Sequence, residues 1–134
     1  MQWLFKEEPS NYSYDDLVRD GKTSWTGVRN PLAQKHLRSV KKGDRIFFYQ
    51  TGDVKAIVGI AKAAGAAYPD PADTSGKLYA VDVEPVKKLP APVTLAAVKA
   101  EKAFAALPLV RMPRLSVMPV DDDVWERIVA MAGK

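Results

Sequence analysis

The sequence predicts an α+β fold: a mixed, barrel-like sheet of about five to six short strands with short helices at its periphery. Segments with period-two apolar spacing alternate along the chain with segments at helical spacing. Links between neighbouring strand-like segments are short, as in Thr51-Gly52-Asp53, which favours antiparallel pairs over a doubly wound sheet. The ten prolines are spread as punctuation, and no repeat or low-complexity tract marks a linker. The 134 residues read as one domain, 1–134, long enough for folding to bury roughly two-thirds of the unfolded surface.

Trp3 to Lys6 reads as a strand closed by Pro9. Ser13-Tyr14-Asp15-Asp16 offers an N-cap serine with acids in the first turn, and Gly21 ends the helix that follows. Asn30-Pro31 opens a second helix, a cap followed by proline at the first helical position. Leu32, Ala33, Leu37 and Val40 form its apolar side, leaving Lys35, Arg38, Lys41 and Lys42 mainly outside, and Gly43-Asp44 is expected to end it. Arg45–Gln50 and Ala56–Ala63 form a hairpin, and Tyr68 to Gly76 is a loop. Leu78 to Glu84 alternates as a half-buried strand, Thr94 caps a short helix, and Arg114 to Val120 is the last strand. Asp121 to Asp123 opens a closing helix carrying Trp125, Ile128 and Met131.

Several function classes are excluded by what is missing. With no cysteine and one histidine, His36, the chain lacks the groups for disulfides, zinc ribbons, cysteine nucleophiles and most Ser-His chemistry. It has no glycine-rich phosphate loop, metal-ligand spacing or nucleophile elbow, so no cofactor and no metal are expected. Apolar runs are broken well short of the ~20 residues of a membrane span. The start, Met1-Gln2-Trp3-Leu4-Phe5-Lys6, enters a strand directly without the pattern of a secretory signal, so a cytoplasmic protein without a membrane partner is expected.

The formal net charge of +4 is unevenly placed. Lys22, Arg29, Lys35, Arg38, Lys41, Lys42 and Arg45 face one acid, Asp44, a local +6, while the remainder is −2. A basic segment on a near-neutral body suits a polyanion, and equally a solvated helix face.

Ser24-Trp25-Thr26-Gly27-Val28-Arg29-Asn30 places a Trp before a glycine turn and a helix start. An aromatic face, backbone N–H groups and a guanidinium meeting there would suit a planar, partly anionic ligand; Trp25 as core, Asn30 as cap and Arg29 as surface charge fit as well. Lys6-Glu7-Glu8-Pro9 ends the first strand, where a carboxylate can accept from an exocyclic amine such as that of cytosine. An exposed ion pair is the simpler alternative. Tyr49 and Tyr68, the latter leading Tyr68-Pro69-Asp70, can wall a base-sized slot. Arg111 and Arg114 can contact phosphate or keep an edge strand soluble.

The strings Trp3-Leu4-Phe5-Lys6-Glu7-Glu8-Pro9, Ser13-Tyr14-Asp15-Asp16-Leu17, Trp25-Thr26-Gly27-Val28-Arg29-Asn30, Lys42-Gly43-Asp44-Arg45-Ile46-Phe47-Phe48-Tyr49, Ile57-Val58-Gly59-Ile60-Ala61, Tyr68-Pro69-Asp70-Pro71 and Arg114-Leu115-Ser116-Val117-Met118-Pro119-Val120 occur in one order along the chain. Together they closely resemble an EVE domain. The resemblance implies a PUA-like pseudo-barrel, related to ASCH and YTH modules, and recognition of modified cytosines such as methyl- and hydroxymethylcytosine in DNA. It implies an aromatic cage with Trp25 as a wall, Lys6, Glu7, Glu8 and Pro9 as an edge, and Tyr49, Tyr68 and Asp70 as closure. Arg29, Asn30, Arg114 and Ser116 lie nearby in the implied arrangement. From the residues themselves, Ser24 is expected at the pocket, and Arg29, Lys35, Arg38, Lys41, Lys42, Arg111 and Arg114 are expected to contact phosphate. The chain departs from the family pattern in two places: Glu7 stands where serine is commoner, and Gln50-Thr51 where His-Ser is commoner.

A non-enzymatic reader that takes a modified base into an aromatic slot is therefore expected. Structured or modified RNA is the first alternative ligand. A small hydrolase of modified bases or nucleosides, with Lys6 and Glu8 as acid and base, is the second.

Overall fold

The computed structural model describes residues 1–133. In chain order the elements are β1 (Gln2–Glu7), α1 (Tyr14–Asp20), β2 (Thr23–Trp25), α2 (Pro31–Arg38), β3 (Arg45–Gln50), β4 (Ala56–Ala63), β5 (Tyr68–Pro69) and β6 (Tyr79–Thr94). Then come α3 (Leu95–Ala100), a turn of 3-10 helix (Lys102–Phe104), α4 (Pro108–Arg111), β7 (Val117–Val120) and α5 (Asp122–Met131). The strands lie side by side in the order β2-β6-β4-β3-β1-β7, with the two-residue β5 added on β6. The pair β1/β3 is parallel and the others are antiparallel, giving the expected curled mixed sheet with peripheral helices. No helix among the described residues is long and apolar enough to cross a membrane.

The predicted caps are formed. Ser13 Oγ accepts from Asp16 N while the Asp16 carboxylate accepts from Ser13 N, a reciprocal box that satisfies two orphan donors of α1. Gly21 closes this helix in the left-handed region at φ 76°. Asn30 caps α2 through Ala33 N, and Thr94 caps α3 through Ala97 N.

Four boundaries differ from expectation. Helix α2 ends at Arg38, not at Gly43: the Ser39 N–H turns back onto His36 and Leu37 carbonyls, and Val40 folds into the core. Lys41 and Lys42 therefore lie on a loop. Strand β6 runs sixteen residues, far past Glu84. Its Pro90 and Pro92 suggested a break, but they fall in an irregular stretch between the Gly59/Lys88 and Ile57/Val93 pairs, where β4 advances two residues and β6 five. Prolines without a ladder N–H are tolerated in such a bulge. The segment from Tyr68 is not wholly loop, since Tyr68 and Pro69 pair with Ala80 and Tyr79. The last strand begins at Val117, after a turn that holds Arg114.

The sheet packs apolar side chains on both faces. On one, Phe5, Trp25, Phe48 and Tyr14 form a chain of tilted and edge-on ring contacts with centroids 5.3–5.5 Å apart. On the other, Phe47 stacks on Trp125 of α5 at 3.7 Å.

Candidate functional site

Side chains alternate across a strand, and β1 with β3 show what this does to the residues expected to form one pocket. Phe5 and Phe48 contact Trp25, so Glu7 shares their face. Lys6 and Tyr49 are register partners on the opposite face. There the Lys6 ammonium donates to the Pro113 carbonyl at 3.0 Å and sits 5.5 Å from the centre of the Tyr49 ring. Burial lowers the Lys6 pKa. The sheet thus separates Lys6 and Tyr49 from Glu7 and Trp25.

Glu7, Tyr12, Thr23, Ser24, Trp25 and Thr26 line a cavity of about 150 Å³. It is smaller than the roughly 300–1,000 Å³ of a drug-sized site, a size suited to a single ring. Strand β2 supplies most of this wall because it is the last strand on its side of the sheet, with one edge unpaired. Trp25 is 6% exposed, its ring held by Phe5 and Phe48, so it is chiefly a core residue that offers only its rim to the cavity. Glu7 lines the cavity while its Oε1 accepts from Glu8 N at 2.9 Å.

Beside the cavity, Asp82 gathers two hydroxyls. Ser24 donates to Asp82 Oδ1 at 2.8 Å, and Tyr68 donates to the same oxygen at 2.5 Å while lying 3.2 Å from Ser24 Oγ. The register explains this, since Ser24 faces Asp82 across β2/β6 and Tyr68 pairs with Ala80 nearby. The Tyr68 hydroxyl, then that of Ser24, holds the Asp82 carboxyl below its ordinary value, and the same bond raises the Tyr68 phenol.

Other predicted residues have structural partners. Glu8 lies over the β3/β4 turn, accepting from Thr51 Oγ1 at 3.3 Å. A Cβ on Gly52 would fall 2.6 Å from its Oε1. Pro9 follows in the turn after β1. Asp70, 5% exposed, accepts from Ala72 N and Gly27 N and so ties the Gly27 turn to the loop after β5. The Ser116 carbonyl accepts from Lys6 N at 2.9 Å.

The basic residues divide around α2. Arg29 and Arg38 border a groove of about 560 Å³ on one side. Asn30, Arg111 and Arg114 border a second, of about 320 Å³, on the other. Lys35 is exposed on the helix itself. Lys41 lies with Met1, Trp3 and Asp44 at the starts of β1 and β3, and Lys42 follows it. A six-residue strand spans about 17 Å, so these two lysines are at the end of the sheet remote from Glu7.

Tyr12, Thr23, Thr26 and Asp82 were not anticipated from sequence. The signal available for Asp82 was its place in the alternating strand from Leu78, where an acid breaks the run of apolar and small residues.

The fold is thus a curled α+β half-barrel with a small slot along a free strand edge and a basic helix nearby. The chain belongs to the EVE domain family, whose model matches residues 1–131. It is 29% identical to human thymocyte nuclear protein 1 over 98% of this chain and 74% of that protein. The crystal structure of that human protein in complex with 5-methylcytosine-containing DNA superposes with a TM-score of 0.89 at 28% identity, covering 99% of this chain and 98% of that one. A Rhodopseudomonas palustris protein solved by NMR reaches a TM-score of 0.94 at 47% identity, covering 98% and 92%. An ASCH protein of Zymomonas mobilis shares the fold, with a TM-score of 0.62 at 16% identity over 97% and 94%.

Proposed function

We propose that this chain is a non-enzymatic reader of modified cytosine in DNA, taking the base into the slot lined by Glu7, Ser24 and Trp25. The observation that carries this reading is the slot itself: a single-ring-sized cavity with a carboxylate on its wall, on the chain of an EVE domain. The human relative's complex with 5-methylcytosine-containing DNA supports it. Glu7 accepts from the exocyclic amine, Trp25 offers its exposed rim, and Ser24 and Tyr68 stand at the entrance. Arg29, Lys35, Arg38, Arg111 and Arg114, arranged around α2, contact the phosphates. Flipping a base costs a few kcal/mol, which these sequence-independent contacts offset. Lys6 and Glu8 engage Pro113 and Thr51 separately, an arrangement that favours binding over the acid–base pair of a hydrolase.

The test is a titration of oligonucleotides carrying one cytosine, methylcytosine or hydroxymethylcytosine, with an RNA of the same sequence as competitor. Tighter binding of a modified DNA is expected; equal affinity for all three, or preference for the RNA, overturns the proposal.

A further inference from the structure

The larger groove beside α2 joins residues that are far apart in the sequence. Arg29 borders it from the segment before α2, Arg38 from the helix itself, Lys77 from the loop before β6 and Tyr79 from the start of β6; no acidic residue lines it. Its walls are fixed from beneath. Gln34, 3% exposed, donates to the Val28 and Tyr79 carbonyls at 2.6 and 3.3 Å and accepts from Tyr79 N at 2.9 Å, binding the helix entry to the start of β6. Asp73 accepts from the backbone N–H groups of Ser75, Lys77 and Leu78, which shapes the loop that presents Lys77. The Arg38 guanidinium lies 5.7 Å from the centre of the Tyr79 ring, covering an aromatic face that a base would otherwise use. Three cations held around a concavity whose aromatic face is already covered match a phosphate better than a base.

We infer that this groove, with Lys77 as its contribution from outside the basic segment, is a backbone-binding site that holds a phosphate of the DNA strand flanking the recognised base. The inference rests on the DNA reading above. Its placement agrees: Thr26 lines the slot and Arg29 the groove, only three residues apart along the chain and so at most about 11 Å, within reach of the phosphates that flank a base in the slot.

Affinity for a short single-stranded DNA with one 5-methylcytosine, and for its unmodified counterpart, is measured between about 50 and 200 mM salt. The proteins compared are the wild type, Lys77→Gln and Lys99→Gln. Lys99 is exposed on α3 and serves as the charge-matched control. Lys77→Gln is expected to weaken binding of both DNAs by the same factor and to reduce the slope of log affinity against log salt by about 0.7, leaving the preference for the modified DNA unchanged. An unchanged slope, or an equal loss in Lys99→Gln, overturns the groove assignment while leaving base recognition standing. A wild type with no preference between the two DNAs overturns base recognition but not the groove if the slope still falls. A wild type that binds neither overturns both.

Discussion

The ring of Tyr14 occupies the space a side chain on Gly59 would need. A Cβ built on Gly59 would fall 2.4 Å from Tyr14 Cε1, and the Tyr14 hydroxyl passes over the strand to donate to the Ile60 carbonyl at 2.7 Å. Helix α1 is thereby keyed into β4, and the same ring meets Phe48 edge-on at the start of the aromatic chain that reaches Trp25.

Gly59→Ala is expected to destabilise the fold by about 1–3 kcal/mol through overpacking, since ring and strand must part. Tyr14→Phe keeps the ring and removes one donor, at a cost of about 1 kcal/mol. Urea denaturation with matched m-values checks both, and the alanine variant should be the weaker protein.

Gln50 supplies the acceptor for Tyr14 N at 3.0 Å, fastening the first turn of α1 to the end of β3. Gln50→Ala should cost about 1 kcal/mol, and hydrogen exchange should show faster opening in α1 than in β4. Gln50 thus has a structural role in this chain.

The Asp82 network sets a pH window. Asp82 is held below its unfolded value, so its contribution is present above about 3.9 and is lost as pH falls through the lower, folded value. Tyr68 is raised above 10.0, so its contribution is present below that value and is lost as pH rises through the higher, folded one. Tyr68→Phe should therefore lower stability at neutral pH, with the difference from wild type closing in strong acid. Thermal unfolding across the pH range measures it, and a difference that persists unchanged in acid would contradict the assignment.

Glu7→Gln keeps an Oε1 that can accept from Glu8 N and removes the charge that faces the slot. Preference for a cytosine-type base, modified or not, over thymine, which lacks the exocyclic amine, is expected to fall about 10-fold or more, the scale of a charged hydrogen bond. Trp25→Phe is the matching aromatic variant, because Trp25→Ala would remove a core side chain at about 3–5 kcal/mol and confound the binding measurement. An unchanged preference for cytosine over thymine in Glu7→Gln would remove Glu7 from base recognition.

The elements whose signals are local were legible in the sequence. Ser13, Asn30 and Thr94 announce their helices because a cap is a contact within three residues. The full extent of β6 was not, because the bulge that accommodates Pro90 and Pro92 exists only opposite β4. The candidate site was readable in part for the same reason. Glu7, Ser24 and Trp25 stand out as residues, whereas Asp82 and Tyr68 join Ser24 only through β2/β6 and β5/β6 pairing. Lys6 and Glu7 are neighbours in sequence, and the pleat of a single strand sends them to opposite faces.

Strand β1 lies between β3, which follows some forty residues later in the register Gln2/Arg45, and β7, in the register Gln2/Val120. Until the last of these is delivered, Trp3, Leu4 and Phe5 sit on a strand with one open edge. Closure over so long a span is entropically slow, and an open apolar edge is a template for pairing with other chains. Recovery of soluble protein during refolding should thus depend on dilution and on the arrival of Val117–Val120, making the far end of the chain the guardian of its first strand against aggregation.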